Sequence, residues 1–214
     1  LPFQAAVEYE RNRFRRIVES KDIVRNAIEP LESSLNAFVA AVDKVQLANR
    51  GKADAVTRMD DVVAGGRFVI DAAKQALESH IDPRSEDPIR DIINRLFDGR
   101  IGTMPEQATL NEWFEEAKKR FDERSAPGWM DQDTKGKNPR YRAKGLVLDK
   151  RYGDFVIWKE MIDFAKSRSD VTHMVLISAD VKQDWLQLHN QVVGGPHPAL
   201  CTEIMEQGGL DGFW

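Results

Sequence analysis

Apolar residues at Val24, Ile28, Leu31, Leu35, Phe38, Val42 and Val45 follow one another at spacings of 4, 3, 4, 3, 4 and 3. That is a heptad stripe, the signature of a helix with one apolar seam. Pro30 falls inside it and is expected to mark a kink or a fresh helix start. The stripe resumes at Val56, Met59, Val63, Gly66, Phe68 or Ile70, Ala73 and Leu77. Asn49-Arg50-Gly51 between the two runs is a turn signal. The pattern predicts an antiparallel helical hairpin, residues 31–48 against 55–80, suited to packing or partner binding rather than to chemistry. Gly65-Gly66 is expected to weaken its second helix.

Residues 82–88 read as a break. Pro88 then opens a short helix carrying Ile89, Ile92, Ile93, Leu96 and Phe97, and Gly99 suits its end. Thr109 with Glu112 has the form of a capping box for a helix reaching about Arg124, with Trp113, Phe114, Ala117 and Phe121 on its buried face. A further helix is expected from about Asp154, burying Phe155, Trp158, Met161, Ile162 and Ala165. Met174-Val175-Leu176-Ile177 is an apolar run of buried-strand type, ending in Ser178-Ala179-Asp180. It is the one convincing strand in the pattern, so the rest of its sheet is expected outside the chain or in weaker strands. The last helix is predicted from Pro198 to Gln207, stopping at Gly208-Gly209.

Composition narrows the class. Hydrophobic residues are 42% and charged residues 31% of 214 positions, which excludes a low-complexity disordered chain and a collagen-like one. No run approaches the roughly 18 apolar residues of a membrane span. With 31 Lys plus Arg against 35 Asp plus Glu, the net charge of −4 excludes a wholly basic nucleic-acid binder but not a local basic patch. Such a patch exists: Lys135, Lys137, Arg140, Arg142, Lys144, Lys150 and Arg151 face one acid, Asp149, between 135 and 151. The single cysteine, Cys201, excludes an internal disulfide framework and a Cys-rich zinc site, and reads as a small core residue. No signal peptide is evident, and the chain is read as cytoplasmic. It starts at Leu1 directly in a helical pattern, so a longer protein is expected.

Candidate chemistry rests on acids. Glu8 and Glu10 sit on an amphipathic helix beside Arg11, Asn12 and Arg13. Asp154 follows Tyr152-Gly153 at a helix start, and Asp180 follows the carboxyl end of the strand, with Asp184-Trp185 next. Sites in open α/β sheets form at strand carboxyl ends. Acids converging there offer the hard oxygen donors that Mg²⁺ and Mn²⁺ prefer. Two such metals activate water and stabilise the leaving oxygen in phosphodiester hydrolysis. Taken singly, each acid has a plainer reading. Asp154 and Asp180 suit helix caps, Glu8 and Glu10 suit solvated pairs with arginine, and the basic stretch suits an ordinary surface loop. GxGxxG, GxxxxGK[ST], HExxH and GxSxG motifs are absent. His80, His173, His189 and His197 have no metal spacing; His173 reads as structural and His197 as part of a rigid turn.

Four stretches taken in order carry a resemblance: Leu1-Pro2 through Glu8-Tyr9-Glu10-Arg11-Asn12-Arg13; Pro127-Gly128-Trp129-Met130-Asp131; Tyr152-Gly153-Asp154-Phe155-Val156-Ile157-Trp158-Lys159; and Leu176-Ile177-Ser178-Ala179-Asp180-Val181-Lys182-Gln183-Asp184-Trp185. The tail, Gly195-Pro196-His197-Pro198-Ala199-Leu200 and Asp211-Gly212-Phe213-Trp214, continues it. Together they resemble the PIN-like nuclease family, in the branch with a long helical insertion. The resemblance implies an α/β fold, a parallel sheet with helices on both faces, plus a helical-hairpin insertion that leaves this chain predominantly helical. It implies a core of residues 1–20 and 125–214 and an insertion of residues 21–124, including the arm 31–80. The family's first strand, with an essential Asp, is expected ahead of Leu1 and a closing segment beyond Trp214. Relatives often carry an acid where this chain has Ala179.

The implied activity is metal-dependent cleavage of nucleic acid, more often RNA than DNA. Glu8, Asp154 and Asp180 match the family's metal-holding acids, with Asp184 assisting. Mg²⁺ or Mn²⁺ would be the cofactor. Lys135, Lys137, Arg140, Arg142 and Lys144 are then expected to contact phosphates, with Tyr141 or Trp129 stacking an unpaired base. Two rivals stand beside this: a catalytically silent PIN-like module whose helical arm binds a partner or a second copy, and a structure-specific DNA nuclease.

Overall fold

A computed structural model describes residues 1–132, 138–190 and 192–214. The chain falls into two compact units, Leu1–Tyr9 with Asn94–Trp214, and Glu10–Ile93.

The second of these is the helical arm. Helix α1 (Phe3–Val45) is continuous and passes through Pro30, where a kink or a new start was expected. The arm's return helix, α2 (Ala53–Glu78), begins after a 3-10 turn at Ala48–Arg50 that Gly51 ends at φ 71°. The glycine pair does not break α2. Gly66 instead gives room to the facing helix, since a Cβ there would stand 2.8 Å from Leu35 Cδ1. Helix α3 (Pro88–Phe97) starts where expected, and Asp87 accepts hydrogen bonds from the N–H groups of Ile89 (3.1 Å) and Arg90 (3.0 Å).

The larger unit holds the core. Helix α4 (Gln107–Asp122) begins two residues before Thr109, so Thr109 and Glu112 lie within its first turns and form no capping box. Of the expected face, Trp113, Ala117 and Phe121 are buried and Phe114 is half-buried, and Leu110 is buried with them. Helix α5 (Gly153–Ser167) buries Phe155, Val156, Trp158, Met161, Ile162 and Ala165. Trp158 meets Trp185 edge-on at 6.2 Å and Phe213 at 5.6 Å. Helix α6 (Pro198–Gly208) is capped by His197, whose Nδ1 accepts from Ala199 N–H at 3.3 Å, and ends at Gly209 with φ 71°.

Strands are more numerous and shorter than the pattern indicated. Among the described residues, β1 (Arg140–Ala143) and β2 (Leu146–Asp149) form an antiparallel hairpin, as do β4 (Leu186–His189) and β5 (Val192–Pro196). The parallel component is one pair, β3 (His173–Met174) beside β6 (Gly212–Phe213). The expected buried strand Met174–Ile177 is thus corrected. Its ladder reaches Leu176, whose N–H donates to Trp214 O at 2.6 Å, but Val175 and Ile177 are 66% and 94% exposed. Among the described residues the run has one neighbouring strand, so it is hydrogen-bonded along one edge. His173 is an exposed residue stacked on Trp214 at 5.4 Å, and Cys201 packs half-buried against the core. The protein is mostly helical with a small parallel element, and no described helix is long and apolar enough to cross a membrane.

Candidate active site

The start of α5 gathers two of the expected acids. Gly153 is its first residue, and a Cβ there would overlap Glu8 Oε1 outright. Glu8 therefore lies directly against the residue preceding Asp154. Gln4 holds it there: Gln4 is 1% exposed, and its Nε2 donates to Glu8 Oε1 at 2.7 Å and to Tyr141 Oη at 3.3 Å. The backbone N–H of Gln4 donates to Glu160 Oε1 at 3.1 Å and Oε2 at 3.3 Å. Glu160, on α5, thus satisfies an orphan donor at the start of α1. Burial pushes its carboxyl up to about 7 despite the hydrogen bonds from Gln4 and Phe3.

Asp154 lies in the first turn of α5, where the helix macrodipole favours negative charge. It is an interior first-turn residue rather than the cap. It meets the loop that begins at Gly128, whose φ of 91° only glycine adopts readily. A Cβ at Gly128 would stand 3.0 Å from Asp154 Cβ and 3.2 Å from Phe121 Cζ.

Asp184 holds the same loop from the opposite side of the chain. It is 2% exposed, and its Oδ2 accepts from Gly128 N–H at 3.0 Å and Met130 N–H at 3.2 Å. Its Oδ1 is buried with no hydrogen-bond partner among the described residues. Trp185 turns the other way, into the core. Asp184 is thereby an anchor of the 128–131 loop.

Asp180 caps no helix, because residues 181–182 are irregular and 183–185 form a turn before β4. Its Oδ1 accepts from Lys182 N–H at 3.1 Å and its Oδ2 from the Lys182 ammonium at 2.7 Å. That ammonium also reaches Asp131 Oδ2 at 2.9 Å. Burial pulls its pKa down, but the bonds to Asp180 and Asp131 outweigh this and hold it above the ordinary lysine range. Glu10 belongs to the helical arm, where it forms an exposed pair with Arg90 at 3.0 Å.

The basic stretch is a built hairpin where it is described. Lys144 and Gly145, at φ 52° and 84°, form its two-residue turn. Arg140 and Arg142 project to the exposed side and Lys144 stands at the exposed tip. Gln107 closes the outer edge of β2 like a peptide group: Oε1 accepts from Val147 N–H at 2.7 Å and Nε2 donates to Val147 O at 3.1 Å. Tyr141 faces inward toward Gln4, and Trp129 packs against the core beneath the Arg124 guanidinium, 5.8 Å from its ring centre. Both rings are half-buried. Arg151 is committed to buried Asp149, donating from Nη2 at 2.7 Å. Lys135 and Lys137 lie outside the described residues.

A family model described as a PIN like domain matches residues 1–200. The chain belongs to the PIN-like domain family. No curated protein matches it, and no solved structure matches it. PIN-like domains are commonly nucleases and usually use divalent metal ions. The fit of a metal can be tested on these residues. Their oxygen donors suit a hard cation. Yet among the described residues no group of three or more His, Cys, Asp or Glu side chains stands close enough to hold one. Asp180 has both oxygens taken by Lys182, and Asp184 Oδ2 is taken by backbone. As arranged, the described acids do not form a metal centre.

Sequence reading missed Gln4, Gly128, Gly153, Asp131 and Lys182. All five stood inside the quoted stretches, Gln4 between Leu1 and Arg13, Gly128 and Asp131 in Pro-Gly-Trp-Met-Asp, Gly153 in Tyr-Gly-Asp and Lys182 between Leu176 and Trp185. Gln4 and Lys182 carried no signal of their own.

Proposed function

We propose that the protein is a nuclease that hydrolyses phosphodiester bonds in single-stranded RNA with the help of a divalent cation, Mg²⁺ or Mn²⁺. Membership of the PIN-like family supports the reaction class. The observation that carries the site is the placement of Glu8 against Gly153, which brings a second carboxylate to the helix start bearing Asp154. Glu8, Asp154 and Asp180 are the acids assigned to metal. Gln4 orients Glu8, and Asp184 fixes the loop against which Asp154 packs. Arg140, Arg142 and Lys144 form an exposed cationic edge suited to backbone phosphates. Lys135 and Lys137 extend the same run in sequence.

A second reading has an observation of its own. The absence of a three-acid group among the described residues favours a catalytically silent module that works through its helical arm. The arm carries exposed apolar residues, Val62, Phe68 and Val69 at 53%, 75% and 56%, which suit a protein partner or a second copy. Incubating the protein with labelled single-stranded RNA and DNA and Mn²⁺ separates the readings. Mn²⁺-dependent cleavage that vanishes with EDTA supports the nuclease, and the preferred strand names the substrate. A folded protein that neither binds Mn²⁺ nor cleaves either strand supports the silent module.

A further inference from the structure

The helical arm has a second apolar face. Its two helices share one seam, in which a Cβ on Gly66 would stand 2.8 Å from Leu35 Cδ1, so residues 35 and 66 lie at one level. Beside that seam α1 carries Leu31, Phe38 and Val45, which are 39%, 43% and 46% exposed. Beside it α2 carries Ala55, Val62 and Val69, exposed as well. Each row repeats every seven residues and so follows one side of its helix. The other side of the hairpin is marked by the ion pair of Lys74 with Glu32 at 2.7 Å, where α2 carries a charged row, Asp60, Arg67 and Lys74. Lys74 follows the seam residue Ala73, whereas Val62 and Val69 precede the seam residues Val63 and Ile70. At about 100° per residue these are opposite flanks of the seam, and Glu32 and Leu31 are opposite flanks of α1 in the same way. Both apolar rows therefore lie on the one face of the hairpin. They are also in step. Counting in antiparallel sense from Leu35 and Gly66 sets Leu31 level with Val69, Phe38 with Val62 and Val45 with Ala55, to about one residue. At each level the larger side chain is on α1 and the smaller on α2.

We propose that this face docks on the same face of a second copy, closing two hairpins into a four-helix bundle and making the protein an isologous dimer. A two-fold axis parallel to the helices lays each α1 antiparallel on the partner's α2 without changing its level. Leu31 then meets the partner's Val69, Phe38 meets the partner's Val62 and Val45 meets the partner's Ala55. Large faces small at every level, the arrangement that lets packed layers interdigitate. This fit comes from the rows of the face being in step with each other, so it is a fit to a second copy in particular. The area agrees. The helices overlap over residues 24–45 and 55–76, a length of about 33 Å, and two helices 8–10 Å apart are about 18 Å wide. That is about 600 Å² from each copy and about 1,200 Å² in all, at the lower end of what specific interfaces bury. The proposal goes beyond the nuclease reading and needs only the arm, so it holds whether or not the chain cleaves RNA.

The test is sedimentation equilibrium of the full chain and of its Phe38→Glu, Val62→Glu and Phe68→Glu variants, folding being checked by circular dichroism. Phe68 is the control: it is as exposed and apolar as the face, but it stands two residues from both Gly66 and Ile70 and so points away from the seam. The parent and Phe68→Glu are expected to be dimers. Phe38→Glu and Val62→Glu each put a lone charge into the apolar contact, and each should weaken dimerisation at least about a hundredfold. Mixing Phe38→Glu chains with Val62→Lys chains should restore a dimer, because the glutamate of one then meets the lysine of the other. A monomeric parent, a dimer that both glutamate variants leave intact, or no recovery on mixing overturns the proposal. Should the charged variants fail to fold, Phe38→Cys and Val62→Cys chains are mixed and oxidised. A disulfide-linked mixed dimer is then expected, and its absence overturns the proposal.

Discussion

Glu8 Oε1 occupies the space that a Cβ on residue 153 would need. Glycine at 153 is therefore a condition for holding Glu8 against the start of α5, the helix whose first turn carries Asp154. In an ordinary helix, replacing Gly by Ala stabilises by about 1 kcal/mol. Here Gly153→Ala drives Glu8 off Gln4 Nε2 and is expected to cost about 1–3 kcal/mol, as overpacking does. Thermal unfolding reads the sign directly: Tm should fall, and a rise would show that Glu8 is not held there.

Asp184 is a second point of leverage. Asp184→Ala removes the acceptor of two backbone N–H groups, on Gly128 and Met130. Each buried donor left unsatisfied costs about 1–3 kcal/mol, so a loss of about 2–5 kcal/mol is expected in urea unfolding. Asp184→Asn keeps an acceptor and should lose much less. Equal losses from the two would mean that the carboxylate's charge, not its hydrogen bonds, is what the loop needs.

These two residues also show how far the sequence could be read. Periodicity located α2, α3, α5 and α6 and most of the buried faces, because a helix repeats its environment every three or four residues. It misjudged Pro30, since a long helix packed in a hairpin tolerates a lost hydrogen bond that the local rule treats as a stop. It overread Met174–Ile177, because an apolar run records a suitability for burial and not the presence of a second neighbour. The hairpin β1–β2 escaped notice since basic residues hid its alternation, although Lys144-Gly145 was a turn signal. At the site, Glu8 and Asp154 were legible as acids in motifs. The placement of Glu8 against Gly153 was not, because Glu8 is held by Gln4, which looks like any polar residue on a helix. The pairing of Asp131 with Asp180 through Lys182 joins residues about fifty positions apart, a relation no local pattern carries.

Glu160 predicts a pH dependence. Its folded-state pKa is pushed up to about 7 by burial, above the ordinary glutamate value. The folded state therefore holds the proton more tightly than the unfolded chain. Its contribution to stability is full at pH 4 and is lost as pH rises toward 7, amounting to about 3 kcal/mol at most. Other carboxylates, such as Asp149 and Glu203, are lowered and act in the opposite sense, so the informative quantity is the difference between the parent and Glu160→Gln. That difference should change across pH 4.5–7 in urea unfolding. A constant offset across this range would rule out titration of Glu160 there.

The exposed cations of the β1–β2 hairpin predict a salt effect. Arg140→Ala, Arg142→Ala and Lys144→Ala should each weaken binding to single-stranded RNA without changing its sequence preference. Each should also reduce the slope of log affinity against log salt by about 0.7 if it removes one phosphate contact. Fluorescence anisotropy at a series of salt concentrations measures both. An unchanged slope in all three variants would place the nucleic-acid surface elsewhere.

The central claim is that Glu8 and Asp154 serve a metal-dependent nuclease. The most direct measurement is cleavage of labelled single-stranded RNA with Mn²⁺ by the parent protein and by Asp154→Asn, each with and without EDTA. The account predicts cleavage by the parent, abolished by EDTA and reduced at least a hundredfold in Asp154→Asn, in line with the contribution of groups that stabilise charge at a reacting centre. Cleavage that persists in Asp154→Asn at the parental rate, or in EDTA, would contradict it.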